Sequence, residues 1–562
     1  MSSEAPATTA DATTADAAVP PPAGAPASAW SPLRHRTFRW LWLAAIASNI
    51  GTWMHEVGAG WLMTTLSPSP LLVSLVQAAG AAPMFVLALP AGALSDIVDR
   101  RRFLIGVQIW MALVAAALAA ATLTGVMTPG LLLGLTAALG IGSALMAPAW
   151  AALTPELVPK PELQSAIALS SVGINVARAI GPALAGLIVS SVGPWATFAL
   201  NAASFAGVIV VLAGWRRPQA VATLPSERFF GALRAGWRYA RSAPRLQAVI
   251  VRALAFFVFA SAGLGLLPLL VRRLPDGSAG VYGALLACVG VGAVGGAFLL
   301  PKLRERVSAD QLVAGASALY AGVLLALALL PSAPWLAPVM LASGAAWIAV
   351  LSSFQVAAQT AAPPWVRARA LAVYMLAFNG AMAAGAALWG TIAAHQAPAV
   401  ALVAAAAGLL LLILPVRRFR LACAAADDLS PSLHWPMPLA EGTAIEHDRG
   451  PVLVTVEYEI PPAHAAAFVQ AMQAMARVRR RNGALSWGLF QDTDRPQRWV
   501  EYFIDESWLE HLRHHGRITH ADAEIEARVR ALHSGPHGPR IHHHVGPPAP
   551  GSGLLPLGAG EG

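Results

Sequence analysis

Ionisable side chains are rare inside the long apolar stretches of this chain, and each is a candidate for chemistry. Asn49, Thr52 and Glu56 are spaced i, i+3 and i+7, so a helix would place them on one face. A carboxylate inside an apolar helix is costly and usually functional, and Glu56 could bind and release a proton. The alternatives are that Glu56 forms a static buried ion pair or has already reached the membrane interface.

Arg178 is the basic counterpart in a second apolar stretch. At 1.5 Å per residue, Glu56 lies about 24 Å from Trp40 and Arg178 about 21 Å from Gln164. The two groups are therefore predicted to lie at similar depth, where Arg178 would bias the titration of Glu56, contact a substrate anion, or only form the static pair.

A charged cluster ends another apolar run. In ALPAGALSDIVDRRRF, residues 88–103, Asp96 and Asp99 are followed by Arg100, Arg101 and Arg102 after roughly 20 uncharged residues. The cluster predicts the edge of a membrane.

The composition supports a membrane protein. Of 562 residues, 56% are hydrophobic and 12% charged, whereas a soluble domain has about 25% charged residues. About 20 apolar residues cross a bilayer as a helix, because the backbone must satisfy its own hydrogen bonds there. Twelve stretches qualify: 40–64, 70–95, 103–125, 129–152, 164–190, 194–214, 247–271, 279–300, 310–330, 334–360, 370–391 and 396–416.

Lys and Arg collect in alternate connections, which predicts that those connections face the cytoplasm. The opposite connections have no Lys or Arg, apart from Arg272 and Arg273. Both termini are thus expected in the cytoplasm of a multi-pass plasma (inner) membrane protein. The net charge of +9 mostly reflects this bias and gives no reason to expect a nucleic-acid partner.

A shift of 204 residues superimposes two parts of the chain. It places Gly92 on Gly296, and likewise aligns Pro, Asn and Arg positions in separated regions. Since the offset spans six stretches, it predicts a parallel repeat of two six-helix halves with the substrate site between them. The halves are 34–214 and 247–418, joined by a cytoplasmic loop over 215–246.

These features resemble the major facilitator superfamily. The run GALSDIVDRR, residues 92–101, resembles the superfamily signature between helices two and three, with Ile97 and Asp99 as departures. The resemblance implies twelve helices in two bundles that alternate between inward-open and outward-open states. It also implies a conformational latch of Gly92, Asp96, Arg100 and Arg101, in which Asp96 faces the positive end of helix eleven.

Two further signatures refine the resemblance. NIGTWMHEVGAGWLM and SPLLVSLVQAA are similar to the branch that includes the enterobactin exporter and related efflux proteins. Gly181, Pro182 and Gly186 resemble the Gly-Pro signature of proton-driven antiporters. The resemblance therefore implies a proton-coupled exporter of a small amphipathic molecule, such as a siderophore or drug. An importer or uniporter of the same fold is the alternative.

The remainder of the chain is predicted to form a second domain. Residues 1–33 and 546–562 are expected to be disordered and 419–449 to be a linker. Over 450–545, an alternating strand at 452–460, a helix to about Arg481, a hairpin, a helix over 506–532 and a strand in RIHHHV predict a ferredoxin-like β-α-β-β-α-β order. Its wording resembles antibiotic-biosynthesis-monooxygenase-like domains.

This domain is expected to self-associate or bind a ligand, and an oxygenase-like tail on a bifunctional carrier is the alternative. Six of its side chains could serve catalysis or packing: Trp487, Trp508, His511, His514, His515 and His520. His542, His543 and His544 resemble a metal tract, but alternating strand faces would separate neighbours. Neither a metal nor a cofactor is predicted, and the chain is not expected to be an enzyme.

Overall fold

The computed structural model describes residues 30–215, 236–237, 239–363, 365–421, 428–432, 434–435, 445–446 and 449–547, although a few side chains in these ranges, including that of Asp96, are not described. Most of the predicted terminal tails, central loop and linker lie outside these residues.

Twelve long helices make up most of the described chain. The first half contains α1 (Arg36–Leu66), α2 (Pro70–Ile97), α3 (Arg100–Leu123), α4 (Pro129–Leu157), α5 (Leu163–Ser191) and α6 (Pro194–Gly214). The second half contains α7 (Pro244–Arg272), α8 (Ala279–Arg306), α9 (Ala309–Leu329), α10 (Ala333–Thr360), α11 (Arg367–His395) and α12 (Pro398–Val416). Proline opens several of them, because its missing N–H costs nothing in the first turn.

Eleven described helices are long and apolar enough to cross a membrane. The remaining long helix, α1, is not among the eleven; it carries Arg36, Arg39, His55 and Glu56. The helices run several residues past many predicted ends. The α8 helix continues to Arg306, so Lys302 and Arg304 lie on a helix and not in a loop.

The predicted repeat is visible in the element bounds. A shift of 204 residues places α5 end to end on α11, and α4 on α10 within one residue. The halves meet through α2 against α11 and α5 against α8. The repeat exchanges these two pairs, so the interface has the two-fold character expected of a parallel repeat.

We call the side that carries the connections 67–69, 192–193, 273–278 and 396–397 the outer face. The inner face carries the connections 98–99, 158–162, 307–308 and 361–366. At the inner face, polar contacts join helices of the same half. They include Arg100 with Glu156, at 2.5 Å, and Arg252 with Asp310.

The C-terminal domain is a four-stranded antiparallel sheet covered by helices. Its strands are β1 (Val452–Glu459), β2 (Ser486–Gln491), β3 (Arg498–Asp505) and β4 (Arg540–Val545), in the order β2-β3-β1-β4. Its helices are α13 (Ala465–Asn482), α14 (Trp508–Arg517) and α15 (His520–Arg530). This is the predicted ferredoxin-like order, with alternate residues of β1 buried under α13.

Three predicted boundaries of these segments need correction. Thr519 caps a new helix through a reciprocal contact with Asp522, so the helix predicted over 506–532 is two helices. Residues 428–432 were assigned to the linker, but Pro431 pairs with Thr519 and the Ser432 N–H donates to Ile518 O at 2.9 Å. Residues Ser31–Arg34 form a 3₁₀ turn within the predicted N-terminal tail.

Candidate transport site and its helix contacts

Glu56 and Arg178 lie on α1 and α5, the helices that contact each other within the first half. The two charges are close enough to interact electrostatically. The charge of Glu56 also interacts electrostatically with Tyr282 of α8. The side chains of Glu56 and Arg178 are both described, and they do not form an ion pair within 4.0 Å. Glu56 is exposed, unlike its neighbours Met54, His55 and Val57. The carboxylate therefore remains accessible where the two halves meet.

Arg178 rests on an aromatic ring. Its guanidinium lies 5.6 Å from the ring centre of Trp53 on α1, and its Nε is buried with no hydrogen-bond partner within the described part of the chain. An arginine held by a ring retains free donors for an anion. This geometry suits contact with a substrate or with Glu56 in another conformation.

Tyr282 was not identified from the sequence. It stacks on Trp61 at 6.2 Å between ring centres, and its hydroxyl lies against Gly60. The sequence signal that could have identified it is a tyrosine near the start of an apolar helix, next to Gly283. It brings a hydroxyl from the second half to the Glu56 region of the first half.

The Gly181-Pro182-Gly186 signature lets α5 approach two helices. A Cβ on Gly181 would lie 2.6 Å from Trp53 Cβ on α1. A Cβ on Gly186 would lie 2.9 Å from Ala279 O on α8, and one on Gly283 would lie 2.5 Å from Pro182 O. Glycine is required because the backbones are in contact.

Close contacts between the halves concentrate on the outer side. Arg272 at the end of α7 donates to Thr64 Oγ1 of α1 at 3.0 Å, and Gly390 of α11 lies against Ser74 of α2. The α5–α8 contact at Gly186 lies in the same layer. The two inner-face ion pairs named above each lie within one half. Among the described residues, this arrangement closes the outer side.

Asn49 lines a cavity between α1, α4 and α5. Its Nδ2 donates to Ala45 O at 2.8 Å, and Trp42, Trp150 and Ser170 share the lining. The cavity has a volume of about 60 Å³, against roughly 300–1,000 Å³ for pockets that hold drug-sized ligands. It can hold water or part of a substrate, but not a whole siderophore.

The predicted latch divides into described and undescribed parts. Gly92 and Asp96 lie in the last two turns of α2, but the surroundings of Gly92 and the side chain of Asp96 are not described. Arg100 pairs with Glu156, and Arg101 donates to the carbonyls of Leu212 and Ala213 at 2.8 and 2.6 Å. The arginines thus tie α3 to the ends of α4 and α6, where cations satisfy terminal carbonyls.

The C-terminal domain buries a satisfied polar network. The Glu501 carboxylate is fully buried and accepts from Arg479 at 3.0 Å, Tyr458 at 3.0 Å and Trp487 at 2.9 Å. Arg479 is also sandwiched between Trp435 and Phe503. Satisfied buried charges of this kind hold a fold together, and Trp487 is committed to this network.

The histidines of this domain separate into two faces. His511 and His514 both contact Asp505, and His511 also contacts His515 and His543. The rings of His542 and His544 lie 6.5 Å apart, on the opposite face of β4 from His543. Trp508 packs against His511, whereas His520 begins α15 and is exposed.

Known families and proteins that resemble this chain are membrane transporters. A family model described as "Transmembrane secretion effector" matches residues 27–549. The staphyloferrin A transporter of Staphylococcus aureus is 25% identical over 46% of this chain and 65% of its own length, so the match spans just under two thirds of that relative. The enterobactin exporter of Salmonella typhi is 27% identical over 69% of this chain and 94% of its own length.

Solved transporters share the fold. A bacterial homologue of the lysosomal transporter Spinster, in an inward-facing and unoccupied conformation, has a TM-score of 0.55 at 16% identity and covers 69% of this chain and 96% of its own. A POT family transporter in complex with 5-aminolevulinic acid has a TM-score of 0.57 at 13% identity, with coverages of 68% and 96%.

Proposed function

Because this chain belongs to the transmembrane secretion effector family of major facilitator transporters, we propose that it is a proton-coupled exporter of a siderophore-like molecule. The observation that carries the proposal is the exposed carboxylate of Glu56, placed beside Arg178 and Tyr282 where the halves meet. Similarity to an enterobactin exporter and a staphyloferrin A transporter supports a siderophore as the substrate class.

The closed outer side supports a carrier that loads from the inner face. Contacts such as Arg272–Thr64 must break for the outer side to open, while the inner ends of each half move as units held by Arg100–Glu156 and Arg252–Asp310. The basic inner connections favour a cytoplasmic inner face and cytoplasmic termini. Substrate would therefore enter from the cytoplasm and leave on the other side.

Proton exchange at Glu56 would couple the two movements. An ionised Glu56, next to the positive charge of Arg178, can accept a hydrogen bond from a hydroxyl or amide group of the substrate, whereas protonation of Glu56 removes that charged acceptor and releases the substrate. Proton and substrate therefore exclude each other at the site, as antiport requires. Outward movement of substrate and inward movement of a proton then alternate at one place. The C-terminal domain would be an accessory, since Trp487 and Glu501 serve its fold.

Transport into inverted membrane vesicles tests this function. Iron-free enterobactin and staphyloferrin A should accumulate when the vesicle interior is made acidic, and a protonophore should abolish the accumulation. Vesicles carrying Arg178→Ala provide the site control. Uptake that only equilibrates the compounds and ignores the proton gradient would indicate a uniporter, and gradient-driven loss from preloaded vesicles would indicate an importer. Either result would overturn the proposal. If neither compound moves, comparing the metabolites excreted by cells with and without the protein tests whether another siderophore is exported.

A further inference from the structure

Three histidines converge at one edge of the C-terminal domain. His511 and His515 lie one helical turn apart on α14, and His543 comes from β4. One ring nitrogen from each lies within 4.8 Å of the others, and the Nε2 atoms of His511 and His515 are 3.2 Å apart. The first two are buried and His543 is partly exposed, so the cluster is reachable from one side.

The spacing suits a metal ion. Zinc–nitrogen bonds of about 2.0–2.1 Å in tetrahedral geometry place two ligand nitrogens about 3.3 Å apart. The His511–His515 separation already meets this value. His543 needs a shift on the order of 1 Å, which a partly exposed side chain on a terminal strand can make.

Asp505 supplies the outer partner that metal-bound histidines usually have. Its Oδ2 lies 2.9 Å from His511 Nδ1, so Nδ1–H donates to the carboxylate and Nε2 presents its lone pair to the cluster. A carboxylate in this position orients the ring and increases its basicity. Asp505 is a positioning residue in this arrangement and not a ligand.

We propose that His511, His515 and His543 bind a divalent transition metal ion in the C-terminal domain. Three neutral imidazoles suit zinc, copper, nickel or iron(II), and a three-histidine set leaves at least one position open for water or another ligand. The proposal is independent of the transported substrate. Without metal, the His515 Nε2–H can donate to His511 Nε2; metal binding requires that proton to move to His515 Nδ1, so that the imidazole remains neutral.

The full-length protein in detergent, purified through a tag that contains no histidine, provides the test. Zinc is titrated in competition with a chromophoric chelator. We expect one tight equivalent per chain, and His543→Gln should weaken its affinity at least about tenfold, as loss of even an outer partner does at such sites. His544→Gln removes the same group from the opposite strand face and should leave the affinity unchanged.

The chain contains 15 histidines, so the matched pair of variants decides the site. Equal zinc affinities for the wild type, His543→Gln and His544→Gln would overturn the proposal, as would the lack of a tight equivalent in the wild type. Gel filtration confirms that each variant is folded. Pulsed electron paramagnetic resonance of bound Cu²⁺ gives a second readout, because His543→Gln should reduce the number of coupled imidazoles by one and His544→Gln should not.

Discussion

The guanidinium of Arg517 lies 4.6 Å from the centre of the Trp365 ring, which connects the C-terminal domain to the transport domain. Trp365 belongs to the short inner connection between α10 and α11, and Arg517 is the last residue of α14. Arg517 is only 5% exposed and is also held by Glu510 at 2.9 Å and Asn482 O at 3.0 Å. The contact is therefore a fixed one, at a connection that has to move with α11.

Arg517→Ala should release this contact. A cation over an aromatic ring contributes about 0.5–2 kcal/mol, so the connection 361–366 should exchange its amide hydrogens faster. Hydrogen–deuterium exchange of the full-length protein measures this. Trp365→Leu should have the reciprocal effect on α14, whereas Arg528→Ala removes a charge from an exposed site of α15 and should change neither. Unchanged exchange in Arg517→Ala would show that the stacking does not hold the domain.

Gly283→Ala should disrupt the outer contact between α5 and α8. The new Cβ would meet Pro182 O at 2.5 Å and Gly186 Cα at 2.7 Å, and both are backbone atoms that cannot rotate away. Overpacking of this kind costs about 1–3 kcal/mol. Thermal unfolding in detergent should show a lower midpoint.

Gly295→Ala is the matched control on the same helix, because its Cβ would meet nothing within 4 Å. It should leave the midpoint unchanged or raise it, since alanine favours helices by about 1 kcal/mol over glycine. Equal effects of the two substitutions would mean that α5 and α8 do not touch at Gly283.

Glu56→Gln should uncouple transport from the proton gradient. Glutamine keeps the size of the side chain and one acceptor oxygen but cannot exchange a proton at neutral pH. Gradient-driven accumulation in inverted vesicles should fall to the level reached with a protonophore, while substrate binding persists. Thr52→Val, on the same face of α1, is the control and should keep the coupling. Unchanged accumulation in Glu56→Gln would reduce Glu56 to a structural role.

The fold followed from the sequence because its signals are strong. Long apolar stretches and the 204-residue repeat predict helices such as α5 and α11, whose bounds correspond end to end. Contacts made by single side chains were not predictable. Tyr282 and Trp365 carry no motif, and their roles depend on which helices meet. The cluster of His511, His515 and His543 was not identified from the sequence, because His543 comes together with residues of α14 that lie about 30 positions earlier.

Asp96→Asn should impair transport without preventing insertion. Asp96 ends α2 at the inner face beside the start of α11, so its carboxylate would meet the positive end of that helix when the inner side closes. An uncharged amide weakens that contact by about 0.3–1 kcal/mol or more. Efflux at matched membrane abundance is the measurement. Asp99 caps α3, because its side chain accepts from Arg102 N at 2.8 Å. The control Asp99→Asn also removes a negative charge, so it separates loss of charge from loss of the latch. Wild-type efflux from Asp96→Asn would remove the latch hypothesis.

Truncation after Ala426 should leave a protein that inserts and still transports. The two halves end at Val416, and the outer-side contacts of the described residues lie within them, so we expect the alternating movement to need no residue of the C-terminal domain. The cut precedes residues 428–432, which belong to that domain through Pro431 and Ser432, so it removes the domain whole. Efflux at matched abundance checks the expectation. Arg517→Ala in the full-length chain is the companion variant, since it loosens the domain without removing it. If the truncated protein inserts but transports nothing, while Arg517→Ala is also impaired, the contact at Trp365 would be part of the transport machinery and the domain would not be an accessory.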